Sequence, residues 1–292
     1  MRGPVHGANL SYAQLTGASL EGASLQGASF GLTNLDGASL RLASLEGAAL
    51  AYASLQGADV AGARIQGAIF YHADLRGASL QNAAIGATDF TGAYLWRTNR
   101  LPDSATKAVS PSSVLAPDAK WERDLSPSDS DVRPWTDQSY AQLAVLIDGM
   151  TPGEMHDAAV KRIRVLDCAN PDKTLASCDP RNPFPIEADD WRRTLEASRT
   201  SDASYQGALV GIMKEIVCDG RQNSIQVVRG LLQKRISVFS EKVGRTLYGE
   251  YIPFDRYELL RDHAFVDFIM SDKCPVHAVL TEDDRAALSG LK

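Results

Sequence analysis

Cysteine and histidine are the residues of this chain that could bind a metal ion, and their tightest spacing lies near its C-terminal end. The segment Cys-Pro-Val-His at 274–277 places Cys274 and His277 three residues apart. A pair with this spacing can supply two of the four ligands of a tetrahedral zinc site. The sequence holds no second close pair, since the other cysteines are Cys168, Cys178 and Cys218. Cys274 and His277 are therefore weak metal candidates, and we expect neither a bound metal nor a cofactor.

The number of cysteines also bears on the redox compartment. Four cysteines in 292 residues are too few for a disulfide framework. We expect free thiols in a reducing compartment, and hence a cytoplasmic protein, with a Cys168–Cys178 disulfide as the alternative. The sequence has no run of 18 apolar residues, so we expect no membrane insertion.

A catalytic centre needs a nucleophile close to a base, and the sequence has no motif that assembles such a pair. It lacks a G-x-S-x-G elbow, a phosphate-binding loop and a G-x-G-x-x-G segment. His156 and His263 fall in segments of helical pattern, where we interpret them as structural or surface residues. The basic clusters at 161–164 and 233–235 fit solvated helix faces, and the net charge of -6 argues against nucleic-acid binding. We expect neither an enzyme nor a nucleic-acid-binding protein.

The first third of the chain repeats every five residues, from residue 8 to residue 97. All 18 repeat centres are large and apolar, and alanine lies two residues before 16 of them, with Thr33 and Thr88 as the exceptions. A period of five fits neither a helix nor a flat strand, because either would scatter the centres over opposite faces. The pattern indicates a turning coil in which each pentapeptide forms one side and directs its centre and its alanine inward.

A second period of 20 residues indicates four pentapeptides per turn, and therefore a rod of four and a half coils, about 22 Å long. Two of the inner columns defined by this interval are Leu10, Phe30, Leu50, Phe70 and Phe90, and Leu15, Leu35, Leu55, Leu75 and Leu95. One outer column is bulky and is our candidate interface: Tyr12, Leu32, Tyr52 and His72. Two other outer columns are small, with glycine at 17, 37, 57 and 77, and glycine at 27, 47 and 67 followed by Ala87.

The motif Ala-Asp-Leu-Arg-Gly at 73–77 has close relatives in Ala-Ser-Leu-Gln-Gly at 23–27 and Ala-Asn-Leu-Ser-Tyr at 8–12. These motifs resemble the pentapeptide-repeat family, and the resemblance covers about residues 3–98. It implies a right-handed quadrilateral β-helix with leucine and phenylalanine ladders inside. Some members of the family, the quinolone-resistance proteins, resemble DNA in size and negative charge and bind DNA gyrase.

The remainder of the chain divides into a proline- and serine-rich linker at 99–134 and a mostly α-helical domain at 135–292. Apolar spacing predicts helices whose inward residues are Tyr140, Leu143, Ala144 and Ile147; Met155, Ala159, Ile163 and Leu166; and Tyr205, Leu209, Ile212 and Ile216. Thr151 to Glu154 and Thr281 to Asp284 read as helix N-terminal capping segments. Further helices are expected at 188–199, 224–239 and 255–270. The fold class is thus a β-solenoid followed by an α-helical domain of five to seven helices.

Two functions fit this architecture. We favour a non-enzymatic scaffold, in which a rigid rod of pentapeptide repeats and a helical domain bind an unidentified protein partner. The alternative is a DNA-mimic inhibitor or protector of gyrase, but residues 8–97 hold six acids and four arginines, which is a weak negative charge for that role. We also expect the helical domain to cover the C-terminal end of the coil near Trp96. The first coil begins without a cap, which is consistent with a fragment of a longer protein or with a homodimer through this end.

Overall fold

A computed structural model describes residues 7–90, 93–95, 98, 137–167, 202–218, 224–232 and 263–290. The predicted linker, the helix expected at 188–199, and Cys168 and Cys178 lie outside these residues. Within the described part, no helix is both long and apolar enough to cross a membrane.

Successive turns of the repeat region pair as parallel strands at an interval of 20 residues. The pairing begins with Asn9 and Ser29 and continues to Asp74 and Tyr94. Both directions of the ladder are hydrogen-bonded: the Leu10 amide donates to the Ser29 carbonyl at 2.7 Å, and the Ser29 amide donates to the Ala8 carbonyl at 2.8 Å. This register confirms the prediction of four pentapeptides per coil, and the N-terminal region is β-helical.

Each pentapeptide ends in a tight turn that forms one corner of the coil. The Ala13 amide donates to the Leu10 carbonyl at 3.1 Å, and the same bond recurs every five residues as far as Leu80 and again at Phe90 and Leu95. The residue before each of these alanines has a positive φ, as at Gly17, with 65°, and at Tyr12, with 62°. A positive φ at the third residue of a turn is the signature of type II, and it explains why glycine occupies so many corners.

The two named inner columns lie in the core of the coil, together with the other repeat centres and the inward alanines. From Phe30 and Leu35 onward every member of both ladders is fully buried, and the Phe70 and Phe90 rings stack with centroids 5.2 Å apart. Leu10 and Leu15, in the first coil, are only partly buried. Each buried centre contributes about 1.5–3 kcal/mol, so the ladders account for the fold of this region.

Threonine replaces the inward alanine at three places without leaving a polar atom unpaired. The Thr33, Thr88 and Thr98 hydroxyls donate to carbonyls 23 residues earlier, at 2.8, 2.8 and 2.9 Å. The acceptors are the Leu10, Ile65 and Leu75 carbonyls, each of which also closes a turn in the preceding coil. The threonines therefore follow the same inward phase as the alanines, since a buried hydroxyl is tolerated when it is hydrogen-bonded.

The described residues of the second half of the chain are mostly helical, as predicted. The described α-helices are α1 (Asp137–Asp148), α2 (Glu154–Ile163), α3 (Asp202–Cys218), α4 (Ser224–Leu232), α5 (His263–Ile269) and α6 (Glu282–Ser289). Two 3-10 helices accompany them, Arg164–Leu166 after α2 and Pro275–Val279 before α6.

The inward face predicted for α2 is right except at its first member. Ala159, Ile163 and Leu166 are fully buried, but Met155 is 50% exposed. The capping box expected at Thr151 is wrong, because α2 begins at Glu154 with Gly153 as its N-cap and has no side-chain cap bond. Gly153 has a φ of 153°, which only glycine adopts readily, so the helix cannot extend back toward Thr151.

The inward face of α3 is displaced from the prediction. Leu209 is buried as expected, but Met213 and Val217 are the fully buried residues that follow it, whereas Ile212 and Ile216 are only partly buried. The capping box at Thr281 is confirmed, since its hydroxyl accepts from the Asp284 amide and the Asp284 carboxylate accepts from the Thr281 amide.

The helices form two apolar groups beside the coil. The first joins α1 to α2 through Leu143, Ile147, Ala159, Ile163 and Leu166. The second joins α3, α4, α5 and α6, and it includes Ala87 of the coil. In the second group Arg229 of α4 donates to both carboxylate oxygens of Asp284, which lowers the pKa of that carboxyl to about 2.

Candidate interaction surface

The corners of the coil line up into four columns along its length. We call them the aromatic corner (Tyr12, Leu32, Tyr52, His72), the first glycine corner (Gly17, Gly37, Gly57, Gly77), the mixed corner (Gly22, Leu42, Gly62, Asn82) and the second glycine corner (Gly7, Gly27, Gly47, Gly67, Ala87). Their described φ values are all positive, from 49° to 67°. Because all four columns share one backbone conformation, we relate the differences in their side chains to what each column contacts.

The first glycine corner is covered by α1 and α2. A Cβ placed on Gly57 would lie 3.1 Å from the Ile163 Cα, and one on Gly37 would lie 3.1 Å from the Ile147 Cδ1. The Arg162 guanidinium also donates from Nε to the Gly37 carbonyl at 2.6 Å. Glycine here lets a helix approach the coil backbone directly.

The second glycine corner is covered by α3 and α4, and its closest approach is between backbones. A Cβ placed on Gly27 would lie 3.1 Å from the Val227 carbonyl oxygen, and one on Gly67 would lie 3.0 Å from the Leu209 Cδ1. From the helix side, a Cβ on Gly230 would lie 2.4 Å from the Gly7 Cα. These small columns are outer positions in the sequence pattern, and in the structure they are docking sites for the chain's own helices.

The mixed corner faces solvent. Gly22 and Asn82 are exposed, Leu42 is 60% exposed, and nothing lies within 4 Å of a Cβ placed on Gly22. The described helices thus cover two opposite corners. The capping of the coil end near Trp96 remains a prediction, because Trp96 and the linker lie outside the described residues.

The aromatic corner forms a stacked cluster toward the C-terminal half of the coil. The Tyr52 and His72 rings are stacked with centroids 5.3 Å apart and planes 9° apart, which confirms that residues 20 apart lie one above the other. Tyr71 meets His72 edge to face at 4.4 Å and Tyr52 at 5.7 Å. Tyr12 is 45% exposed. Tyr71 was not among the candidates from the sequence, although it directly precedes His72 of the aromatic corner.

A ladder of polar side chains runs between the aromatic corner and the first glycine corner. The Thr16 hydroxyl donates to the Asn34 side chain at 3.0 Å, and Gln56 Nε2 donates to Asp74 Oδ2 at 2.9 Å. Between them, Asp36 Oδ1 accepts from the Ser54 hydroxyl at 2.6 Å and from the Gln56 amide at 2.9 Å. Burial of Asp36 nevertheless raises its pKa from 3.8 to about 6.

The acidic side chains of the coil are either buried or paired with arginine. Asp36, Glu46 and Asp89 are buried, with at most 4% of each exposed. The other acids lie opposite arginines: Arg41 is 3.9 Å from Glu21 and 3.4 Å from Asp59, and Arg76 Nε donates to Asp74 at 2.8 Å. Arg64 is ion-paired with the buried Glu46. The coil therefore presents little unpaired negative charge along the described part of its surface.

The expectation of free thiols is wrong for two of the four cysteines, because Cys218 at the end of α3 is disulfide-bonded to Cys274. Cys274 is therefore no metal ligand in this structure, and the described residues contain no group of three or more metal-ligating side chains. His277 lies in the second 3-10 helix. The sequence could not identify the pair, since four cysteines allow three connectivities and these two stand 56 residues apart.

The two histidines weighed as catalytic residues do not face a nucleophile in the described contacts. His156 lies between the carboxylates of Asp157, at 3.1 Å, and Asp148, at 3.8 Å. His263 is exposed at the start of α5. Both positions agree with their interpretation as structural or surface residues.

Comparison with known proteins identifies the repeat region. Residues 6–41 and 43–82 match the family model for pentapeptide repeats, in eight copies. A pentapeptide-repeat protein from the Arabidopsis thaliana thylakoid lumen is 26% identical, with 39% of this chain and 78% of that chain covered and a TM-score of 0.30. One from Nostoc PCC 7120 is 28% identical, with coverages of 37% and 83% and a TM-score of 0.30. QnrB1, a plasmid-mediated fluoroquinolone resistance protein, is 24% identical, with coverages of 29% and 49% and a TM-score of 0.18. A search of curated proteins gave no match.

Proposed function

We propose that this chain, in which residues 6–82 form a pentapeptide-repeat domain, is a non-enzymatic scaffold that binds a protein partner through its aromatic corner. The partner surface would supply apolar side chains to the rings and hydrogen-bond acceptors to the tyrosine hydroxyls. Tyrosine is enriched in protein interfaces because one residue offers both kinds of contact. We also infer that the four-sided coil is right-handed, as its resemblance to the family implies.

The observation that carries this proposal is that the four corners differ in their side chains and in what they contact. Both glycine corners are occupied by helices of the same chain, and the mixed corner is a solvent-facing column of glycine, leucine and asparagine. Among the described corner residues, only those of the aromatic corner combine bulky rings with the left-handed backbone, at φ values of 62° for Tyr12, 57° for Tyr52 and 52° for His72. A non-glycine residue in this conformation costs about 1 kcal/mol, so bulky side chains are kept here against a local preference for glycine.

The experiment is affinity capture with the full chain, read by mass spectrometry, in parallel with the variant Tyr12→Ser/Tyr52→Ser. A matched control is Glu21→Ser/Arg41→Ser, which alters exposed side chains beside the mixed corner. A partner retained by the wild type and the control but lost by the tyrosine variant supports the proposal. Loss of thermal stability in the tyrosine variant, with capture intact, would show that the rings serve internal packing instead.

Charge supports the scaffold over the gyrase-binding alternative. A DNA mimic must approach the density of a duplex, one negative charge per roughly 1.7 Å of axis. Of the six acids in the coil, Asp36, Glu46 and Asp89 are buried and the others lie beside arginines. We expect no effect of the protein on a gyrase supercoiling assay at micromolar concentration, and inhibition at that concentration would reverse the ranking.

A further inference from the structure

The Cys218–Cys274 disulfide lies inside the helical unit that covers the second glycine corner. It joins the last residue of α3 to the residue before the second 3-10 helix, 56 residues along the chain. Cys274 is 1% exposed and Cys218 is half-buried, and both pack in the apolar group that includes Ala87 of the coil. The segment between the two cysteines contains α4, whose Gly230 lies against the coil backbone.

The contact between this unit and the coil depends on short distances. Gly230 of α4 fits against Gly7 and Gly27 only because neither side carries a Cβ, while Leu209 and Met213 of α3 pack over Gly67. Contacts of this kind lose up to about half of their attraction when the backbones separate by about 1 Å. A bond that fixes α3 relative to the rest of the unit therefore also holds the unit in the arrangement that fits the coil.

We propose that the disulfide is a redox clasp, whose reduction releases α3 and α4 from the second glycine corner. A thiolate of a dithiol reductant attacks the Cys218 sulfur, which is the more accessible of the two, and the S–S bond breaks. The electron pair goes to the Cys274 sulfur, which takes up a proton. The second thiol of the reductant then displaces Cys218 as a thiol, so the protein gains two thiols and the reductant becomes a disulfide.

The size of the effect follows from the length of chain that the bond closes. For a loop of this length, chain entropy in the unfolded state sets roughly a thousandfold as the upper limit of the effect of removing the cross-link. The first glycine corner, covered by α1 and α2, has no part in this loop and keeps its contacts. The clasp goes beyond the proposed function, because it concerns the second glycine corner and does not require a partner at the aromatic corner.

Hydrogen exchange of the full chain, measured by mass spectrometry before and after treatment with dithiothreitol, tests the clasp. We expect reduction to accelerate exchange at least tenfold in α4 and to leave α2 unchanged. The variant Cys168→Ser/Cys178→Ser should respond like the wild type, which excludes an effect of the other two cysteines. The variant Cys218→Ser/Cys274→Ser should exchange rapidly without reductant.

Three outcomes would overturn the proposal. The first is unchanged exchange in α4 when alkylation and mass measurement show that Cys218 and Cys274 are reduced. The second is equal acceleration throughout the coil, including the Leu45 and Leu55 amides, because that is general destabilisation and not release of one unit. The third is that Cys218 and Cys274 are alkylated as free thiols in the untreated protein.

Discussion

Replacing Gly230 with alanine should destabilise the protein, although alanine favours a helix more than glycine does. Gly230 lies within α4, and a Cβ at this position would stand 2.4 Å from the Gly7 Cα and 2.5 Å from the Gly27 carbonyl oxygen. Both neighbours are backbone atoms of the coil, held in place by the ladder between coils. The Cβ can therefore be accommodated only if α4 moves away from the second glycine corner.

Gly211 in α3 provides a matched control. It is exposed, and a Cβ placed there would meet nothing within 4 Å. Gly211→Ala should therefore show the ordinary gain of about 1 kcal/mol for alanine over glycine in a helix. Gly230→Ala has the same intrinsic gain, but overpacking typically costs about 1–3 kcal/mol, and displacement of α4 adds lost contacts with the coil. We expect a net loss of about 1–2 kcal/mol, so the two variants should differ by about 2–3 kcal/mol and in sign.

Urea unfolding of the full chain, followed by circular dichroism, measures both variants under the same conditions. The expected order of stability is Gly211→Ala, then the wild type, then Gly230→Ala. If Gly230→Ala stabilises the protein as much as Gly211→Ala does, then α4 does not lie against the coil, and the account of the second glycine corner fails.

Three further variants test the interior of the coil. Leu55→Lys should abolish the folded coil, because Leu55 is fully buried. Its surface control, Gln81→Lys, changes an exposed residue and should leave the melting temperature within a few degrees of the wild type. Equal melting temperatures for these two variants would contradict the five-residue phase. Asp36→Asn should stabilise the protein by about 2–3 kcal/mol at pH 8 and have little effect at pH 4. The pKa of Asp36 is raised to about 6, so its contribution to stability is complete below about pH 4 and is lost as pH rises through 6. A difference in stability between the variant and the wild type that does not change with pH in urea unfolding would refute this reasoning. Thr88→Val should cost about 1 kcal/mol or less, since the Ile65 carbonyl keeps its bond from the Ala68 amide; a loss above about 2 kcal/mol on thermal unfolding would mean that the hydroxyl has another role.

The coil could be predicted in detail because one short sequence pattern is repeated along it. The interval of 20 residues correctly placed the inner ladders and the stack of Tyr52 on His72. The occupants of the glycine corners could not be predicted, because α2 and α4 lie more than 100 residues away from the glycines that they contact. The sequence nevertheless held a signal of these contacts, since the two glycine corners differ from the mixed corner, in which Leu42 and Asn82 stand in place of glycine.

Single residues decided the remaining differences from the sequence analysis. Gly153 sets the start of α2, because its φ of 153° belongs to no helical turn, and this overrode the capping pattern that begins at Thr151. Met155 followed the helical period but faces solvent, because the coil and α1 contact α2 farther along, around Ala159 and Ile163. The pairing of Cys218 with Cys274 depends on how α3 and the C-terminal helices pack together, which cysteine spacing does not encode.

The binding constant of the captured partner for the full chain tests the proposed function most directly. Titrating the purified partner against the wild type, Tyr12→Ser/Tyr52→Ser and Glu21→Ser/Arg41→Ser separates the aromatic corner from the mixed one. Truncating a tyrosine hot spot costs about 2 kcal/mol or more, so we predict at least a thirtyfold rise in Kd for the tyrosine variant. The melting temperature of that variant and the Kd of the control should stay close to the wild-type values. An unchanged Kd for the tyrosine variant, or an equal rise in both variants, would contradict binding through the aromatic corner.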